Sequence, residues 1–242
     1  MTKLQLNNLI HLWVAIIMGK LFAVLWIGSL LLSCVTTPNN KTPTACFQDL
    51  ASQETASKEL QALVKADQEV RFAVIKNGYK MTEIDMKEFT YGDSVRRKRV
   101  AEIFAEGCFS KAQDYAAAAL VFQHGVTPDH FFQTFIWAKK AIELGDPSQK
   151  QLMAMSIDRY LVSTKRKQLF GSQAMKPDSS NCWCLYPIEN TFTDSMRKQY
   201  MNKSLADQTK WLESLNQNQK CEQVECKMDL ESPKTGDVPG IW

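Results

Sequence analysis

Histidine is scarce in this sequence: three residues in 242, of which only His124 and His130 lie beyond the N-terminal segment. No HExxH pair occurs, so the common helical zinc-protease arrangement is excluded. GxSxG, the Walker loop and a GxGxxG turn are missing too, which removes the usual signatures of serine hydrolases, P-loop nucleotidases and dinucleotide-binding domains. A surplus of charge of one sign is also lacking. Basic residues number 29 against 26 acidic ones, and a broad nucleic-acid surface needs a clear basic excess. The one basic run, Arg96-Arg97-Lys98-Arg99, has Asp93 and Glu102 close by and reads as a solvated helix face. No metal, no cofactor and no nucleic-acid partner are expected.

The first 34 residues contain no Asp or Glu; Lys3 and Lys20 are their only lysines. Leu21 to Leu32 is almost wholly apolar but shorter than the roughly 20 residues that span a bilayer as a helix. A basic start, a short apolar run and a small residue at the cut form the signal-peptide pattern. Met18 is a second candidate start beside Met1. Leu31 stands where an ordinary A-x-A cleavage site needs a small residue. Leu31-Leu32-Ser33-Cys34 instead resembles the lipobox of bacterial lipoproteins, which implies cleavage after residue 33 and a lipid, such as palmitate, on Cys34. The competing reading is an uncleaved anchor with a chance cysteine. Val35 occupies the place where lipoproteins retained at the inner membrane tend to carry Asp, so the resemblance implies an outer-membrane anchor facing the periplasm.

With Cys34 assigned to lipid, six cysteines remain: Cys46, Cys108, Cys182, Cys184, Cys221 and Cys226. An even number in an exported chain suggests disulfides, whereas Cys-Trp-Cys and Cys-x4-Cys do not match the usual zinc spacing. Cys46 is expected to pair with Cys108, and Cys182 and Cys184 with Cys221 and Cys226.

Residues 34–45 hold the lipidated cysteine and a Thr/Asn/Pro-rich tether. A single helical domain is expected over 46–226, with 227–242 loosely ordered. Leu60, Leu63, Val64, Val70, Val74 and Ile75 recur at helical spacing, and Asn77-Gly78 stops that helix. Asp93-Ser94 is a candidate cap for a second. Ala112 to Phe122 forms an alanine-rich helix closed by His124-Gly125. Thr127-Pro128 starts another, carrying Phe131, Phe132, Phe135 and Trp137 as core aromatics. Asp146-Pro147 starts a third, reaching about Leu161. Short connections and small residues on one face imply antiparallel hairpins packed closely. The segment around Ala138 to Pro147 resembles tetratricopeptide and SEL-type repeats over about one and a half units. The fold class is all-α with repeat-like packing, a small extended ribbon near 168–186 and a final helix from about Asp194 to Leu215.

Several short motifs agree in order. Gln123-His124-Gly125, Asp158-Arg159 and Phe170-Gly171-Ser172-Gln173 resemble the QH, DR and [FY]G[ST]Q motifs of a bacterial helical family with no established reaction. Asp67-Gln68-Glu69-Val70-Arg71 and Pro187-Ile188-Glu189 are similar to its flanking motifs. The likeness covers roughly residues 60–205 and omits the cysteine elements. It implies a helical fold and no particular activity.

From the residues themselves, His124 and Asp158 lie near the ends of two helices expected to run parallel. Asp158 then faces His124, with Arg159 or Gln173 offering donors, and a His–carboxylate pair is the usual core of general-base catalysis. The structural alternative is a histidine at a helix end and an Asp158–Arg159 ion pair pinning the next loop. Two function classes follow: a lipid-anchored envelope protein whose helical domain binds a protein or peptide, or a small periplasmic hydrolase built on His124, Asp158, Arg159 and Gln173.

Overall fold

Each helix starts where a side chain can take its free N–H groups. The computed structural model describes residues 46–77, 81–217, 219 and 221–242; the expected signal segment, Cys34, the expected tether and Gly78 lie outside them. Asp49 accepts from Ala51 N–H at the head of α1 (Leu50–Lys76), which ends at Asn77. Helix α2 (Glu83–Ala105) opens with a reciprocal Thr82/Asp85 capping box. It therefore begins well before the expected Asp93-Ser94, and Asp93 is a mid-helix residue. Asp114 takes the N–H groups of Ser110 and Lys111 at the start of α3 (Ala112–Gln123). Thr127 caps α4 (Pro128–Glu143), with Pro128 in the first turn. Asp146 caps a 3-10 turn, Pro147–Gln149, that leads into α5 (Lys150–Ser163).

Consecutive helices α3, α4 and α5 pack closely, α1 lies along α3, and α2 rests on both. Ala117, Ala118 and Ala119 are buried, and side chains this small let helix backbones approach. Phe135, Ile157, Leu161, Leu60, Ile103 and Val100 fill the space between them. Phe131, Phe135 and Trp137 are buried, and Trp137 meets Phe104 and Phe122 edge to face. The aromatic helix is core, as its spacing suggests. The architecture is all-α, with seven α-helices among the described residues.

After α5 the chain builds one antiparallel ribbon, β1 (Ala174–Met175) with β2 (Cys184–Leu185), in the register Ala174–Leu185 and Met175–Cys184. The expected final helix is broken in two. Helix α6 (Asp194–Met201) stops at Asn202, which takes the left-handed conformation (φ 59°), and Ser204 starts α7 (Leu205–Leu215). Three disulfides join Cys46–Cys108, Cys182–Cys221 and Cys184–Cys226. Trp183, between two of these cysteines, packs on the small cluster of Leu185, Ile188 and Leu212. Residues 227–242 are not a loose tail. Leu230 and Val238 are buried, Asp237 accepts from Arg166 at 2.8 Å, and Trp242 packs on Phe192 and donates to Pro233 O. The expectation rested on Pro and Gly content, which is silent about the apolar side chains between them. Among the described residues no helix is long and apolar enough to cross a membrane.

Candidate functional site

The partner of His124 is Asp67, on α1. Its Nδ1 stands 2.8 Å from Asp67 Oδ2, and the carboxylate is nearly sealed, with 1% of its side chain exposed. Asp67 also receives Arg71 on Oδ1 at 2.8 Å and Gln68 on Oδ2 at 2.9 Å. Burial alone would raise this carboxyl, but the close approach and charge of His124, then Arg71 and Gln68, hold it below its ordinary value, although His124 Nδ1 makes no aligned hydrogen bond among the described residues. Arg71 follows Asp67 by one helical turn, so one side chain reaches back along α1 while its other nitrogen crosses to α2. There it meets Asp93 at 2.8 Å, and its guanidinium lies 5.0 Å from the Phe89 ring centre. Arg96 also pairs with Asp93 and stands 3.5 Å from Asp67.

Arg97 is buried and donates to His124 O at 3.0 Å. Burial, with Arg71 and Arg96 nearby, lowers its pKa against the pull of Asp93. The basic run on α2 is therefore not a solvated face. Arg96 and Arg97 point into the protein, and Arg99 pairs with Glu59 of α1 at 2.6 Å. Packing of α1 on α2 decides this, because it brings carboxylates across from the arginines.

Asp158 does something other than hold His124. It is fully buried and accepts four hydrogen bonds, from Leu169 N, Phe170 N, Ser172 N and Ser172 Oγ, all within 2.8–2.9 Å. Burial raises its pKa against those four donors. It forms no ion pair with Arg159, because consecutive helical residues point about 100° apart. Asp158 instead organises the loop after α5, together with Gln168, which bonds Gln173 O, Tyr186 O and Gln173 N. Gly171 turns that loop at φ +74°, and a Cβ there would come within 3.1 Å of Leu205. Asp158 leaves the candidate catalytic set: its lone pairs are occupied and it meets no open surface.

Arg159 points the other way, toward the end of α3. It donates to Gln123 O from Nη1 and to Gln173 Oε1 from Nε at 3.3 Å. It lies over the Phe131 ring, and burial lowers its pKa, with Arg71 adding repulsion. The C-terminal ends of α3 and α5 thus meet as expected, through Arg159 and not through Asp158. Arg159 and Gln173 also line an open cleft of about 400 Å³.

Two further side chains complete the end of α3. Gln123 is buried, and neither its Oε1 nor its Nε2 has a hydrogen-bond partner among the described residues. His130, on α4, accepts from Val126 N–H through Nδ1 at 3.2 Å; burial and the nearby Arg97 lower its pKa against Asp129. Gly125 is required by this approach, since a Cβ at 125 would fall 2.3 Å from His130 Cβ.

The structure therefore joins His124, Arg159 and Gln173 to one polar centre and removes Asp158 from it. Asp67, Arg71, Asp93, Arg96, Arg97 and Gln123 are members that sequence reasoning did not assign. The signal for two of them was present: Asp67 and Arg71 are an acid and a base one helical turn apart on α1. No group of His, Cys, Asp and Glu suited to a metal occurs among the described residues. The chain matches no protein-family model, no curated protein and no solved structure.

Proposed function

We infer that this chain is a lipid-anchored cell-envelope protein whose helical domain recognises an acidic group on a protein or peptide partner, at the centre around His124. The observation that carries this reading is a charge mismatch. Among the described residues, four guanidinium groups (Arg71, Arg96, Arg97, Arg159) gather where only two carboxylates (Asp67, Asp93) pair with them, and Arg97 and Arg159 bond only to carbonyl oxygens and an amide. The C-terminus of α3, whose carbonyls they cap, supplies roughly half a negative charge, well short of the surplus of two. An arriving carboxylate supplies most of the remainder. The three disulfides support an oxidising location outside the cytoplasm, and the Leu-Leu-Ser-Cys sequence supports the anchor.

Fluorescence anisotropy with labelled acidic, neutral and basic peptides tests the recognition. Acidic peptides should bind best, and Arg97→Gln should remove the preference; equal binding of all three overturns the reading. Metabolic labelling with fatty acid tests the anchor, since Cys34→Ser should abolish incorporation, and an unlabelled wild type refutes lipidation.

The His124–Asp67 pair favours a second reading, hydrolysis by general-base catalysis, with Asp67 holding the ring in place. It requires that His124→Gln abolish turnover of an ester or peptide panel while binding persists.

A further inference from the structure

The cleft beside Arg159 combines three features that belong to peptide ends. We propose that it receives the C-terminal residue of an extended peptide, whose carboxylate meets Arg159, whose apolar side chain fills the cleft and whose backbone adds to the edge of β1. This deepens the acidic-group recognition proposed above and rests on it.

The carboxylate position follows from the free donor. Arg159 spends Nε on Gln173 and Nη1 on Gln123 O, whereas Nη2 has no partner among the described residues and is not sealed from solvent. Lys165 stands on the rim of the same cleft, exposed and without an ion pair among the described residues. It holds the left-handed conformation (φ 63°), which a side chain other than glycine adopts at a cost. That backbone closes α5, with Arg166 N bonding Leu161 O at 2.8 Å. Two cations thus face one concavity.

The side-chain position follows from the walls. Phe131, Val162 and Tyr186 line the cleft, and a volume of about 400 Å³ accommodates one large apolar residue.

The strand follows from the hydrogen-bond alternation of an antiparallel pair. Tyr186 N bonds Gln173 O, so residue 173 faces β2 and its neighbour Ala174 faces away. Leu185, opposite Ala174, is taken on its other side: its N–H donates to Val224 O and its carbonyl accepts from Cys226 N. The N–H and carbonyl of Ala174, a residue of the cleft wall, are therefore left to the open edge. An unpaired strand edge beside an apolar pocket and a cation is the chemistry of peptide addition to a sheet.

The test uses fluorescein-labelled decapeptides of one sequence ending in phenylalanine, with a free or an amidated C-terminus. The free acid should bind the purified protein about tenfold or more tightly than the amide, since one charge-assisted contact is lost. Arg159→Gln should remove most of that difference, leaving the smaller share of Lys165. Because Arg159 also ties α3 to the following loop, Lys165→Ala and Val162→Trp supply variants that leave those ties intact. The first should weaken binding severalfold and the second should abolish it, each with an unchanged circular dichroism spectrum. Equal binding of acid and amide, or no binding of either, overturns the proposal. So does binding of free N-acetylphenylalanine as tight as that of the peptide, which would make the ligand a small apolar carboxylate. Peptides with acidic side chains, still bound in an Arg97-dependent way when this test fails, would leave the broader recognition standing.

Discussion

His124 at the end of α3 and Asp67 in α1 face each other across 2.8 Å, and Asp67 is at the same time the anchor for Arg71. One buried carboxylate therefore fixes both the histidine and the arginine that bridges to α2. Replacing Asp67 by Asn removes the charge while keeping the shape. The variant should lose about 2–4 kcal/mol, because Arg71 and Arg96 are left with Asp93 alone in a largely buried setting. Urea denaturation measures the loss. A change within about 0.5 kcal/mol, the range of ordinary surface substitutions, would show that solvent already screens these charges.

Asp158 offers a sharper separation of structure from function. Its two oxygens each accept two hydrogen bonds from the Leu169–Ser172 loop. In Asp158→Asn one oxygen becomes an NH2 donor aimed at other donors, and each stranded buried group costs about 1–3 kcal/mol. The expected result is a strongly lowered melting temperature. A variant as stable as wild type would mean that the loop has other means of holding its shape.

The low pKa of His130 sets a pH dependence. Its folded value lies below the ordinary 6.5 because of burial and Arg97, with Asp129 opposing. As pH falls below about 6.5 the unfolded chain binds the proton first, so stability falls with pH until the folded pKa is passed and the loss is complete. Thermal melts from about pH 7 to about pH 5 should show this decline, and His130→Asn, which keeps a short polar side chain without the titration, should reduce it. An identical decline in both proteins assigns it to other groups.

Disulfides fasten the C-terminal region. Cys182–Cys221 and Cys184–Cys226 close loops with sequence separations of 39 and 42, and each should contribute about 2–4 kcal/mol by restricting the unfolded chain. Peptide mapping without reduction should recover these pairs and Cys46–Cys108. The double variant Cys184→Ala/Cys226→Ala should unfold at a lower urea concentration, and an unchanged midpoint would refute that contribution.

How far the chain could be read from its residues depends on the range of the interaction. Local chemistry was legible: Thr127-Pro128 begins α4, Asn77 ends α1, and the alanine run of α3 is a close-packed core face, because capping and periodicity act within one or two turns. An even cysteine count and a sensible order of elements gave Cys46–Cys108 and the grouping of Cys182 and Cys184 with Cys221 and Cys226, while the fold decided which of those four joins which. Asp93-Ser94 misled because a capping residue type also suits a mid-helix ion pair, and only Thr82 with Asp85 shows where the capping box forms. The C-terminal segment misled because Pro233, Gly236 and Gly240 punctuate it, while Leu230, Val238 and Trp242 dock on partners distant in sequence.

The sequence by itself determined the helical class, the starts of α4 and of the turn into α5, the cysteine inventory and the presence of His124, Arg159 and Gln173 near helix ends. Tertiary structure alone decided which partner each meets. Neighbouring side chains on a helix diverge by about 100°, so Asp158 and Arg159, adjacent in the chain, serve different sites. Asp67, far from His124 in sequence, becomes its partner because α1 lies along α3. Which charges stay unpaired follows from that packing, and so does the concentration of guanidinium groups at the end of α3.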